Sequence, residues 1–337
     1  MTHTDVPCPA PAQATPDADA PTPVRVGVIG AGRVGAVLGA ALRAADGPQR
    51  YDVVAAAGES DASRERAAAL LPGVPLRKPS DVARASDLLL LTVPDDMLAN
   101  VVRVLADAGA LRPGQYVVHT SGRHGLAILE PAARVGARPL ALHPAMTFSG
   151  TAVDLERLHG AVLGTTAGPT EEAVAADLVR ALGGRRMDVP EDRRTLYHAG
   201  LAHGANHLVT LVTEAMEVLA AAGADDPAAT LRPLLTAALD NALSHGDAAL
   251  TGPIARGDVG TVAAHLEDLA AQAPTALASY VALGRATLGR CVTDGRVLPI
   301  RAARILALLD EAEARAAGAA GSSEDAGSAG AAWEARP

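Results

Sequence analysis

Three of the chain's ten histidines and an asparagine fall within "YHAGLAHGANH", Tyr197 to His207. Such a cluster suits metal ligation, proton transfer, or simply the polar side of a long helix. Metal ligation has the least support. His203 and His207 have i,i+4 spacing, but no glutamate stands between them and no third ligand is near. At about 100° per residue, His198, Asn206, His203 and His207 spread over half a helix circumference rather than one stripe. No metal is expected, and the use of the cluster depends on what the first half of the chain sets in front of it.

That first half opens with a second candidate site, "VRVGVIGAGRVGAVLGAALRAA". An apolar β-branched strand, Val24 to Ile29, runs into Gly30, Gly32 and Gly35 and then into a helical pattern. This is the setting the dinucleotide fingerprint requires. Gly30 makes the tight turn, Gly32 lets backbone approach a pyrophosphate, and Gly35 lets helix pack on strand. The backbone of Gly30, Ala31, Gly32, Arg33, Val34 and Gly35 is then the expected phosphate cradle, at a helix N-terminus. The alternative is a glycine-rich turn that binds nothing.

The alternation continues. "YDVVAAAG" is a second strand, and "DASRERAAALL" is a helix with Asp61 placed as its N-cap. "SDLLLLTVPDD" is a continuous apolar run, as expected of a strand buried on both faces. The strands "GQYVVHTSG", "ARPLALHP", "GAVLGTT" and "RRMDVP" follow, with helices between. The expected fold class is α/β: a doubly wound, mainly parallel sheet over residues 23–189. Ligands bind such sheets beyond the carboxyl ends of the strands. Those ends carry Gly30–Gly35, Ser60, Val93 and Pro94, Ser121 and His143. After Pro190 the strand signal stops, and residues 190–315 read as an all-helical second domain.

The ordering of "GVIGAGRVG", "LTVPDD", "VVHTSG", "LALHP", "YHAGLAHGANHL" and "LTGPIARGD" resembles the two-domain family that joins a Rossmann-like domain to a domain of unknown function, DUF2520. More distantly it resembles 6-phosphogluconate-dehydrogenase-like reductases, prephenate dehydrogenases and ketopantoate reductases. The resemblance implies a nicotinamide-dependent oxidoreductase, often dimeric, with its substrate open. Ketopantoate reductases carry a catalytic lysine on the first helix after the sheet. Here the single lysine is Lys78, in the wrong domain, so another group must give the proton. In the prephenate dehydrogenases a serine follows one strand and a His-Pro the next, which points to His143 as proton donor with Ser121 beside it. Imidazole suits proton transfer because its pKa lies near neutrality. The plainer role for His143 is to end a strand before Pro144. His198 and Asn206 fall where the related families place lysine and asparagine. His203 and His207 are left to solvent or a dimer interface.

Cofactor choice and substrate contacts are read from the remaining residues. An NAD enzyme usually carries an acidic residue at the end of the second strand. Here stand Ala55, Ala56 and Ala57, followed by "GESDASRER". Ser60, Ser63, Arg64 and Arg66 suit a 2′-phosphate and Glu59 opposes it, so NADP (as NADPH) is expected, with NAD as the alternative. Arg256, in a Gly-Pro loop, or Arg123, after "HTSG", suits a substrate carboxylate through its bidentate geometry.

Composition bounds the rest. A net charge of −9 speaks against nucleic acid or an anionic membrane as partner. The two cysteines, Cys8 and Cys291, form neither a disulfide framework nor a metal motif. No apolar run is long enough to span a membrane. Residues 1–22 read as a disordered leader without signal-peptide features, and 316–337 as a disordered tail, in a cytoplasmic protein. Aromatics are only 2%, so alanine-rich helix faces must find cover, and a homodimer through the helical domain is expected. The function expected is reduction of a small 2-oxo acid, ketopantoate-like. The alternatives are an imine reductase, or an NADP-binding sensor without turnover.

Overall fold

The computed structural model describes residues 22–328, with side chains through 317. The expected leader lies almost wholly outside the described residues, as does Cys8. The chain divides into two compact units between Ala202 and His203, later than the expected boundary at Pro190.

In the first unit β1 (Val24–Ile29), α1 (Arg33–Ala44), β2 (Tyr51–Ala57), α2 (Asp61–Leu70), α3 (Pro79–Ala85) and β3 (Leu88–Leu91) come first. They are followed by α4 (Asp95–Asp107), β4 (Tyr116–His119), α5 (Glu130–Arg134), β5 (Arg138–Pro144) and α6 (Val153–Leu158). The unit ends with β6 (Val162–Ala167), α7 (Glu172–Ala181), β7 (Arg185–Asp188) and α8 (Arg194–Leu201). The seven strands form one sheet in the order β2-β1-β3-β4-β5-β6-β7. All neighbours are parallel except β5 and β6. The sheet is thus mainly parallel, and the last pair of strands, β6 and β7, runs against the rest.

β3 is four leucines, all buried. Leu88 and Leu90 join Val26, Val28 and Val118 in one apolar layer, and Leu89 and Leu91 join Ile29 and Val117 in the other. Alternate side chains point to opposite faces, so a strand covered by helices on both sides must be apolar throughout. The N-cap of α2 is Ser60, whose hydroxyl accepts from the Ser63 N–H, and Asp61 is the first helical residue. This corrects the sequence reading: Asp61 in the first turn faces the helix dipole but does not cap.

The second unit contains α9 (His207–Ala221), α10 (Pro227–His245), α11 (Val259–Gln272), α12 (Leu277–Thr293) and α13 (Pro299–Ser328). Its core gathers Val262, Leu266, Val281, Leu288, Cys291, Ile305 and Leu309 from α11, α12 and α13. α9 buries no residue, and α10 buries Leu231 alone. α13 runs on through Ser328, into residues expected as a disordered tail; the alanines of "EARAAGAAG" have the highest helix propensity of any residue. The chain passes from α8 to α9 through a π-helical turn, Ala202–Asn206, so the long helix considered for this stretch is not one continuous α-helix. Angles counted at 3.6 residues per turn do not carry across it.

Candidate active site

The glycine turn separates into residues the protein itself requires and one it does not. Gly30 has φ +99°, and a Cβ there would meet the Thr92 carbonyl at 2.8 Å and Val93 N at 2.9 Å. A Cβ on Gly35 would fall inside contact distance of the Gly30 carbonyl and Thr92 Oγ1, and 3.0 Å from Val28. Thr92 Oγ1 in turn donates to the Gly30 carbonyl at 2.7 Å. Gly32 is different. Its backbone (φ −80°, ψ −155°) suits any residue, and a Cβ would meet only the Gly30 carbonyl, at 3.9 Å. Nothing inside the fold needs a glycine at position 32. Space above it is what a close-lying ligand would need, so the turn fits a dinucleotide. α1 starts at this turn with no side-chain cap and no acidic residue in its first turn, leaving its N–H groups and positive dipole end available. Val93 and Pro94 follow Thr92 directly, so that loop borders the turn.

At the β2 end, the Ser60 hydroxyl is 2.8 Å from Ser63 Oγ and is engaged in capping α2. Two arginines flank a glycine nearby. A Cβ on Gly150 would lie 2.8 Å from Arg66 Nε and 3.0 Å from Arg33 Cγ, so both side chains border that glycine. Its loop is pinned by Asp154, fully buried, which accepts from Gly150 N–H at 2.7 Å and Ser149 Oγ at 3.0 Å.

The chemistry-bearing side chains gather at the ends of β4 and β5. His143 Nδ1 lies 3.0 Å from Tyr197 Oη, and its ring packs edge-on to His198 with centroids 5.7 Å apart. Two glycines make the room. Gly122 after β4 allows the approach: a Cβ would strike His198 and lie 3.1 Å from His143 Nε2. Gly164, opposite His143 in the β5–β6 register, lies under the tyrosine, where a Cβ would come within 2.6 Å of Oη.

Beneath these rings lies Arg194, only 1% exposed. Its guanidinium donates to the carbonyls of Gly164 (3.1 Å) and Ser121 (2.6 Å) and to Thr166 Oγ1 (3.3 Å). It also sits 5.8 Å from the Tyr197 ring centroid, within cation–π range. A buried cation held by neutral oxygens gives the site a positive field. Burial first, then Arg194 and His198, pull His143 down to about 4. Burial raises Tyr197, with Arg194 working against it. His119 is likewise pushed to about 4, mainly by burial. Its Nε2 meets the Gly125 carbonyl at 2.8 Å and its Nδ1 accepts the Ser121 N–H at 3.2 Å. His119 thus shapes the loop that carries Ser121.

Of the residues expected at the site, His143, His198 and Ser121 come together. Ser121 presents a buried hydroxyl that accepts the His124 N–H at 3.3 Å. Arg123 pairs with Asp95 at 3.4 Å. Asn206 and Arg256 are exposed members of the helical unit, as are His203 and His207, whose Nδ1 atoms lie 2.9 Å apart. Among the described residues no group of three metal-ligating side chains forms. Sequence reasoning missed Arg194 and Tyr197. Their i,i+3 spacing with each other and the i,i+1 step to His198 were legible, but nothing in an arginine-rich chain marks the one arginine that is buried.

Residues 11–144 match the family described as a Rossmann-like domain, and residues 161–287 the domain of unknown function DUF2520. The second match begins just before β6, where the sheet turns antiparallel. No curated protein matches the sequence. Among solved structures, the chain is similar to a Bacteroides fragilis protein provisionally described as an NADP oxidoreductase: 20% identity, TM-score 0.67, covering 79% of this chain and 98% of that one. It is also similar to an imine reductase from Pseudomonas (19%, TM-score 0.54, 87% and 95%). A third likeness is to a Plasmodium falciparum pyrroline carboxylate reductase with NADP bound (10%, TM-score 0.51, 85% and 98%). These likenesses concern the fold. The chain therefore carries a Rossmann-like domain followed by a DUF2520 domain.

Proposed function

We propose that the protein is an NAD(P)H-dependent oxidoreductase, preferring NADPH, that reduces the carbonyl of a small 2-oxo acid. The observation carrying this reading is the His143–Tyr197–His198 cluster over a buried arginine, on the same sheet edge as a glycine turn open above Gly32. Gly30 to Gly35 would hold the pyrophosphate against the start of α1, with Val93 and Pro94 beside it. Arg33 and Arg66, which both border Gly150, would supply charge for a 2′-phosphate, and this supports NADPH over NADH. The bound dinucleotide would supply a hydride. The chain's own residues bind the substrate oxygen, hold a proton for it and keep water out.

A second reading, imine reduction, is favoured by the folds to which the chain is similar. The site's electrostatics favour the carbonyl. Reducing C=O builds negative charge on oxygen, which the buried Arg194 stabilises. Reducing C=N proceeds through an iminium cation, which the same charge opposes. A substrate carboxylate would pair with Arg123, in competition with Asp95. A sensor without turnover would need the turn but not the cluster. The exposed Leu208, Val209, Leu234, Leu239 and Leu243 of α9 and α10 support a homodimer, with a second copy covering these faces. Among the described residues no helix is long and apolar enough to cross a membrane.

A screen of NADPH oxidation across 2-oxo acids and cyclic imines tests the reading. Turnover of a 2-oxo acid, reduced about 10²–10⁴-fold in His143→Ala with cofactor binding intact, is the expected result. Turnover of imines alone would select the second reading, and binding without any turnover the sensor.

A further inference from the structure

We propose that Tyr197 is the proton source for the reaction and acts through the His143 ring, its Oη–H donating to Nδ1 so that Nε2–H faces the substrate oxygen. The proposal rests on the carbonyl-reduction reading above. Three features of the geometry carry it. Tyr197 Oη lies 3.0 Å from His143 Nδ1 and is also reached by the Gly164 backbone N–H, which stabilises its oxygen, so the tyrosine's own O–H is left to donate to Nδ1. The tyrosine is held in that position from below, since Gly164 leaves the space it fills and Arg194, one turn earlier on α8, lies against its ring. The far nitrogen, Nε2, lies towards Gly122 and His198 at the β4 end.

The groups facing His143 are Tyr197, His198 and Arg194 from α8, Asp95 from α4 and His119 from β4. Burial and the positive neighbours outweigh Asp95, and the ring stays neutral near pH 7. A neutral imidazole has one proton, and giving it up alone would leave an imidazolate. It is a competent acid only if the other nitrogen gains a proton in the same event. A bound reduced dinucleotide would supply the hydride to the substrate carbon, and the carbonyl oxygen takes the proton from Nε2. The Tyr197 proton moves to Nδ1. N–H forms at Nδ1 as N–H breaks at Nε2 and O–H breaks at Tyr197; the substrate's C=O π bond is lost as its new C–H and O–H bonds form, the hydride being the one a bound dinucleotide would supply. The tyrosinate left behind sits beside the Arg194 guanidinium until water returns the proton and the ring resets.

The test is ¹⁵N NMR of the full chain labelled in histidine, without dinucleotide. His143 should show a protonated Nε2 and an unprotonated, hydrogen-bonded Nδ1 from about pH 8 to about pH 5.5, and Tyr197→Phe should replace this with a mixture of tautomers. A protonated Nδ1, or an imidazolium near neutral pH, overturns the relay. In turnover, Tyr197→Phe should lose about 10²–10⁴-fold while NADPH titration stays unchanged, and wild-type turnover in that variant also overturns it. The two failures are distinguishable. A wrong tautomer sinks the relay whatever the substrate, whereas the expected tautomer in a protein that reduces imines alone sinks the carbonyl reading.

Discussion

Replacing two glycines of one turn by alanine should damage two different properties. In Gly35→Ala the new methyl falls on the Gly30 carbonyl, Thr92 Oγ1 and Val28. Two of these are backbone or core and cannot swing away. Overpacking of this kind costs about 1–3 kcal/mol, offset by roughly 0.5–1 kcal/mol gained from alanine in a helix. A net loss of about 1–2 kcal/mol lowers the Tm of a unit this size by about 2–8 °C. In Gly32→Ala the backbone is already suitable for alanine and the nearest atom is 3.9 Å away, so the ligand-free Tm should stay within about 2 °C of wild type. Ligand response should reverse the order of damage. At about 100 times Kd, NADPH stabilises the wild type by about 2.7 kcal/mol, a rise of roughly 5–10 °C. Gly32→Ala should lose most of that rise, because its methyl stands where the pyrophosphate must approach. The assay is thermal unfolding of all three proteins with and without NADPH. A full ligand-induced rise in Gly32→Ala, or a ligand-free loss equal to that of Gly35→Ala, would refute the reasoning.

Other expectations concern pH, cofactor, assembly and metal. His119 and His143 both have pKa values lowered from 6.5 to about 4. The unfolded chain therefore binds protons that the folded one refuses, and stability falls as pH drops from about 6.5 towards about 4, with a slope approaching 2.7 kcal/mol per unit for two protons. Urea unfolding across that range checks the sign, and stability that rises on acidification contradicts it. Arg33→Ala combined with Arg66→Ala should weaken NADPH binding at least tenfold and leave NADH nearly unchanged in fluorescence titrations; an equal loss for both cofactors would remove the 2′-phosphate assignment. Sedimentation at micromolar concentration should show a species of twice 33.9 kDa, dissociated by Leu234→Glu with Leu243→Glu; a monomer in the wild type refutes the dimer. Elemental analysis should find no stoichiometric transition metal, and one lost in His203→Ala would overturn that view.

Much of the first unit could be read from the sequence because its signals are local. A β-branched strand running into three spaced glycines, and a strand of four leucines, each permit few structures. What failed was the part set by partners distant in sequence. The cap of α2 is a separate, local miss: Ser60 rather than Asp61 accepts the Ser63 N–H, a difference of one residue at a helix boundary. The antiparallel β6 was hidden because strand direction leaves no mark on residue pattern. The histidine-rich stretch shows the same limit. His198 lies beside His143, but the π-turn from Ala202 breaks the angular count, and Asn206, His203 and His207 belong to the other compact unit. Arg194 and Tyr197 became visible only once β5, β6 and α8 were assembled, because burial of an arginine is a property of the fold.

The proposed function requires a hydride to reach a carbonyl carbon at the β4–β5 edge. The most direct measurement supplies NADPH carrying deuterium at the nicotinamide C4 position, with a mixture of 2-oxo acids and cyclic imines, and reads the products by mass spectrometry. One deuterium is expected on the hydroxyl-bearing carbon of a 2-hydroxy acid, formed by wild type and strongly reduced in His143→Ala and Tyr197→Phe. Deuterium found only in a cyclic amine, or in no product of either C4-labelled form, would contradict it.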